Sequence, residues 1–269
     1  FPALDLNHIS VRNDDGVAYL EAMSPVDCIF LDPARRNEHG GKTVAISDCE
    51  PNVAELEGLL LSKANRIMIK LSPMLDLSQA LKELPHTQEV HIISVNNECK
   101  ELLLLLGQTA PEEIPVHCVN LSTKGEQEKQ LFVFTREQEQ HSECSYTDTL
   151  GNYLYEPNAS LLKAGAFRSI AAAYSVKKLH PNSHLYTSDT QIEGFPGRTF
   201  RIINRCSLNK KEIKENLSDL KKANITVRNF PATVAELRKR IKLAEGGDTY
   251  LFASTLNDGQ KILIRCGKV

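Results

Sequence analysis

Over the first half of the chain, short apolar runs rich in β-branched residues alternate with stretches whose apolar positions recur every three or four residues. His8–Asn13, Val26–Leu31, Arg66–Leu71, Val90–Val95, Val116–Leu121 and Leu131–Thr135 read as strands. Gly16–Met23, Val53–Ala64, Leu77–Leu84 and Glu98–Gly107 read as helices, with Val53, Leu56, Leu59, Leu60 and Ala64 at helical spacing. Such alternation predicts βαβ crossovers and an α/β fold built on a mostly parallel sheet. The last two strands are joined through a short polar loop containing Gly125, so an antiparallel hairpin should close one edge.

The pattern then breaks. Thr123–Glu128 and Glu137–Gly151 are polar and carry no apolar period, and the second is the expected interdomain linker. Beyond it Tyr153–Tyr174 reads as mostly helical. A β-α-β-α-β-β run follows: Thr199–Arg205, the helix Lys210–Ala223, Asn224–Arg228, the helix Thr233–Leu243, and a hairpin of Tyr250–Thr255 with Lys261–Cys266 turned at Asn257-Asp258-Gly259. This predicts a smaller α+β region.

The chain has 269 residues, 41% hydrophobic and 25% charged, which suits packed globular domains and excludes disorder or coiled coil. Its longest apolar run, Leu102–Leu106, is far too short to cross a bilayer, and no leader pattern opens the chain, so a soluble, cytoplasmic protein is expected. Seven cysteines without CxxC spacing argue for reduced thiols. His141 and Cys144 lack the second pair that a metal would need, so no metal site is expected. The net charge of −2 conceals an asymmetry: residues 1–159 carry −13 and residues 160–269 carry +11. A basic half of this kind suits a polyanion, or else supplies solvated helix faces and partners for the acidic half.

In open α/β sheets ligands collect at the carboxyl ends of strands. There the chain places Asn13-Asp14-Asp15-Gly16, Asp32-Pro33-Ala34-Arg35-Arg36, Ser72-Pro73 and Asn96-Asn97. Asp32-Pro33 stands out, because proline removes a donor and fixes φ, leaving a carbonyl and a carboxylate to face the crevice; an ordinary Asp-capped turn would look the same. Arg35 and Arg36 could hold a phosphate or carboxylate, or neutralise nearby acids. Gly41-Lys42-Thr43 resembles the end of a phosphate loop, but Arg36 occupies the position of its first glycine, so a turn is expected. No GxGxxG or GxSxG occurs, and Gly246-Gly247 reads as a helix C-cap. His86, His91 and His117 read as packing or solvent-facing residues.

The run VDCIFLDPARRNEHGGKTVAISDCEP (Val26–Pro51) with RIMIKLSPMLD (Arg66–Asp76) resembles a bacterial family of class I S-adenosylmethionine-dependent methyltransferases. YLYEPNASLLKAGAFRSIAAAYSVKKLHPNSHLYTSD (Tyr153–Asp189) is similar to the ferredoxin-like insert of that family, and Thr199–Cys266 to its THUMP-like domain. The resemblance implies a Rossmann-like domain over residues 1–143, a linker and ferredoxin-like insert over 144–198, and a THUMP-like domain over 199–269. It implies S-adenosylmethionine as cofactor, with Asp14 beside the adenine and Asp32 and Pro33 between sulfonium and substrate. Ala34 and Arg35 depart from the D/N-P-P-aromatic motif of amino-methylating enzymes, so a stacking platform for a target base is not implied. Arg35, Arg36 and Lys70 become candidate substrate anchors; Lys70, inside a strand, could instead pair with a carboxylate.

The chain starts about one strand before Asp14, so the glycine-rich cofactor loop of such enzymes is expected to be missing, by truncation or because another chain supplies those strands. THUMP-related domains imply RNA as partner, in accord with the basic half, although no RNP-like aromatic platform accompanies it. The expected function is methyl transfer to RNA; the alternative is a catalytically silent RNA-binding or scaffold protein.

Overall fold

A computed structural model of the protein describes residues 6–35, 45–123 and 129–269. The chain divides into two compact units, residues 1–90 with 101–114 and residues 91–100 with 115–269. A six-stranded sheet has the order β1-β4-β6-β5-β7-β8. Its strands are β1 (Val26–Leu31), β4 (Ala64–Leu71), β5 (Thr87–Val95), β6 (Glu98–Leu106), β7 (Pro115–Leu121) and β8 (Lys129–Thr135). β1 and β4 are parallel, while β6 is antiparallel to β4 and β8 to β7. The α/β expectation with a hairpin at one edge therefore holds.

Helices α1 (Gly16–Ala22), α2 (Val53–Lys63) and α3 (Leu77–Glu83) begin where a short polar side chain can satisfy free amides. Asp15 accepts from Val17 and Ala18, Asn52 from Ala54, and Asp76 from Gln79. Val53 and Leu60 of α2 and Ala80 of α3 are buried, as are Ile67, Ile69 and Leu71 of β4.

Two expectations fail here. Glu98–Gly107, read as a helix, is strand β6: Leu102, Leu104 and Leu106 are fully buried and the leucines between them half-buried. An unbroken leucine run has no period that separates helix from strand, and a central strand is covered on both faces. The deciding feature is Asn96-Asn97, whose φ values of 50° and 64° suit the two-residue turn that reverses β5 into β6. His8–Asn13, read as a strand, forms none; Ile9 and Val11 are exposed there, and an apolar alternation becomes a strand only with a pairing partner.

The second sheet, of seven strands, has the order β10-β11-β9-β12-β15-β14-β13. It comprises β9 (Tyr153–Pro157), β10 (Lys177–Lys178), β11 (Tyr186–Ser188), β12 (Gly197–Cys206), β13 (Asn224–Arg228), β14 (Thr249–Thr255) and β15 (Lys261–Lys268). The expected β-α-β-α-β-β run is present, with α7 (Lys210–Leu217) and α8 (Val234–Ile241) as its helices. Alternate residues serve two cores. Leu251, Ala253 and Leu263 join Leu217 and Leu237 under the helices, while Phe252, Ile262 and Ile264 join Leu154, Phe200 and Leu185 on the opposite face.

Tyr153–Pro157, expected to be helical, is instead strand β9, followed by α5 (Ala159–Ala164) and α6 (Phe167–Tyr174). The expected linker is anchored: α4 (Arg136–His141) opens on a Thr135/Gln138 capping box, and Glu139 accepts from the amides of Phe167, Arg168 and Ser169. Helix α8 ends on Lys242, with φ of 62°, and not on Gly246-Gly247, which form a later turn.

Candidate functional site

The sequence-predicted residues Asp32 and Lys70 meet at the carboxyl end of β1. Parallel pairing of Leu31 with Ile69 sets Asp32, just past the strand, beside Lys70 on β4. Lys70 Nζ lies 2.7 Å from Asp32 Oδ2 and 3.7 Å from Glu101 Oε2. The hydrogen bond to Asp32 raises the Lys70 pKa above its ordinary value against a smaller desolvation effect, and the Glu101 charge adds to the rise. Two carboxylates around one ammonium leave the cluster with one net negative charge in a partly exposed rim.

Glu101 is the member that sequence reasoning missed, since it belongs to β6, which the leucine run disguised as a helix. Pro33 follows, half-buried, and Ala34–Arg35 form the short strand β2, paired with β3 (Cys49–Glu50). Arg36 and the Gly41-Lys42-Thr43 turn lie outside the described residues, as does Gly125 of the expected hairpin loop.

Asp14 is exposed, and its Oδ1 accepts from the Asp15 amide at 2.9 Å. The next residues, Asp15 and Gly16, line a cleft of about 510 Å³ with Ser47, Cys49, Asn52 and Glu55 across it. That volume is in the range of small-molecule sites. The charge set fits a sulfonium compound, since the acidic groups of Asp15, Glu50 and Glu55 at the cleft favour a cation.

His86 lies 3.2 Å from Glu57; His91 stacks on His117, and with Glu89 these two place potential metal-ligand atoms within 4.8 Å of one another. Among the described residues no two cysteines are bonded, and no helix is long and apolar enough to cross a membrane.

In the second unit, the basic residues of α7 and α8 divide into two groups. Arg238 is spent on the fold, donating to the Ala223 carbonyl and lying 3.8 Å from Glu245. Lys210 and Lys214, with Arg240, which also donates to the Leu208 carbonyl, line a groove of about 300 Å³ floored by Ile213, Leu217 and Ile241. Cations above an apolar floor can take a phosphate backbone.

Residues 153–196 match the family of ferredoxin-like domains, and residues 197–268 the THUMP domain-like family. The crystal structure of a "putative methyltransferase" from Porphyromonas gingivalis W83 is similar over 90% of the chain, at 40% identity and a TM-score of 0.81. The resemblance read from the sequence holds. The chain spans 60% of that protein's length. No curated protein matches it. The fold is thus a mixed α/β sheet followed by a ferredoxin-like and THUMP-like α+β region, close to the fold of the Porphyromonas protein.

A further group was hidden in the YLYEPNASLL string. Glu156, only 2% exposed at its side chain, accepts from Arg198 Nε at 2.9 Å and lies 2.8 Å from Arg228 Nη2. A buried carboxylate demands such partners, and the pair of half-exposed guanidiniums around it leaves a net positive charge. A lone Glu in a strand gives no sequence signal of this; the partners are 42 and 72 residues away.

Proposed function

We propose that this protein is an S-adenosylmethionine-dependent methyltransferase that acts on RNA. The observation that carries the reading is the Asp32–Lys70–Glu101 cluster at a strand's carboxyl end, in a fold shared at 40% identity with a protein described as a methyltransferase. The THUMP domain-like match over residues 197–268 and the cationic α7–α8 groove support RNA as substrate.

In this reading residues 1–143 serve catalysis, 144–198 are the linker and ferredoxin-like part, and 199–269 serve RNA. Unbonded thiols and the absence of a membrane-crossing helix among the described residues accord with a cytoplasmic enzyme.

Bound S-adenosylmethionine supplies an electrophilic methyl group on a cationic sulfur. Asp14 would lie beside the adenine. Asp32 sets negative potential against the cation, and Pro33 fixes the backbone that presents Asp32. Lys70 donates to Asp32 and holds Glu101 at ion-pair distance, which leaves N–H donors for a substrate oxygen. Arg35 and Arg36 anchor a substrate phosphate. The protein's part is orientation and electrostatics, which is what a methyl transfer in line with its leaving sulfur requires.

The test is calorimetric titration of S-adenosylhomocysteine into this chain and into a version extended to the length of the Porphyromonas protein. Binding by the extended version, weakened by Asp14→Ala, supports the reading. Binding by neither would leave a silent RNA-binding or scaffold protein.

A further inference from the structure

Beyond the carboxyl ends of β5 and β7 lies a polar cleft of about 630 Å³, formed wholly within the second unit. Its floor is a chain of side-chain amides. Asn120 Oδ1 accepts from the Asn97 amide at 3.0 Å and from Ser94 Oγ at 2.9 Å; Asn120 Nδ2 and Asn158 Nδ2 both donate to Gln130 Oε1. Gln130 in turn donates to the Gly197 carbonyl, and Asn97 Oδ1 accepts from Ala159. Each member is held by its neighbours, so the floor is preorganised rather than adaptable.

Further polar residues line the same cleft. Among the described residues, Asn97 Nδ2, the Gln191 amide, the Glu193 carboxylate and the Lys268 ammonium have no protein partner. Arg198, also at the wall, gives Nε and Nη2 to Glu156 and keeps Nη1. Half-buried Tyr250 adds an aromatic ring, 4.9 Å from that of Phe200.

We infer that this cleft takes one unpaired nucleotide of the RNA. Amide and carboxylate groups hydrogen-bond the edge of a base, an aromatic ring packs against its face, and the two cations meet its phosphate. A purely saccharide ligand would leave Arg198 and Lys268 without an anion. The volume is in the range of pockets that hold ligands of this size, roughly 300–1,000 Å³. The inference rests on the RNA reading above and adds a base-reading site separate from the α7–α8 groove.

The test is fluorescence anisotropy with labelled single-stranded RNA homo-oligomers of each base, on the whole chain. The wild type should favour one base. Gln191→Ala, whose side chain is exposed and unpartnered, should remove about tenfold of the affinity for that base and little for the others. Gln191→Glu, which keeps size and loses the donor, should do the same. Lys268→Ala should weaken all four oligomers alike, and so should Lys210→Ala with Lys214→Ala, but with the base preference intact. Wild-type preference and affinity in both Gln191 variants would overturn the cleft's role while the RNA reading stood. If no oligomer binds at all, the RNA reading fails by itself. Titration with the four nucleoside monophosphates then decides: binding lost in Gln191→Ala keeps a nucleotide in the cleft, and no binding removes it.

Discussion

Asp32 and Lys70 are a half-exposed pair, and such pairs contribute little to stability because water screens them. Their value is positional. Asp32→Ala should therefore abolish methyl transfer to RNA while the thermal melt stays close to that of the wild type; turnover retained in the variant would remove Asp32 from the site. His184 makes a different kind of statement. It stacks on Phe167 with ring centroids 3.7 Å apart, and burial first, then the charges of Lys178 and Arg228, push its pKa down to about 4. The unfolded chain thus binds a proton near pH 6.5 that the folded protein refuses until about pH 4. Stability should fall as the pH is lowered through that window and level off below it. His184→Asn, which tolerates the left-handed backbone at φ of 53°, should flatten this slope in urea melts taken between pH 4 and 7.

Helix α6 has no capping side chain of its own, since Ala166 precedes it. Glu139, from α4, supplies the acceptors for its first three amides and for Ser169 Oγ, and its charge sits at the favourable end of the helix dipole. Glu139→Ala should cost about 1–2 kcal/mol in urea unfolding, with Glu139→Gln between the two. This contact was invisible in sequence because the cap and the capped helix are about 28 residues apart. The start of α4 itself was legible: Thr135-Arg136-Glu137-Gln138 is a capping box, and its polar surroundings hid it as a linker. By contrast, α2, β13 and the β14–β15 hairpin fell where their periods and turn residues placed them. Gly259, at φ of 86°, takes a turn position that favours glycine.

The acidic and basic halves of the chain suit the proposed action on a polyanion. The logarithm of RNA affinity should fall linearly with the logarithm of salt concentration, and each of Lys210→Ala and Lys214→Ala should reduce that slope by about 1. Filter binding across a salt series checks this. A slope unchanged in the double variant would place the phosphate contacts elsewhere than the α7–α8 groove, with the Glu156-held arginines and Lys268 as the next surfaces to vary.

By itself the sequence determined most elements, the α/β class, the basic C-terminal run and the rim residues Asp32 and Lys70, because side-chain period, turn chemistry and charge are local properties of the chain. The tertiary structure decided what depends on register and on partners distant in sequence. It turned Leu102–Leu106 into a strand, which brought Glu101 to Lys70. It also left His8–Asn13 unpaired and gathered Asn97, Asn120, Gln130 and Asn158 into one hydrogen-bonded floor. A strand exists only through its neighbours, and a buried polar group chooses its place by who can satisfy it; neither fact is written in a window of adjacent residues.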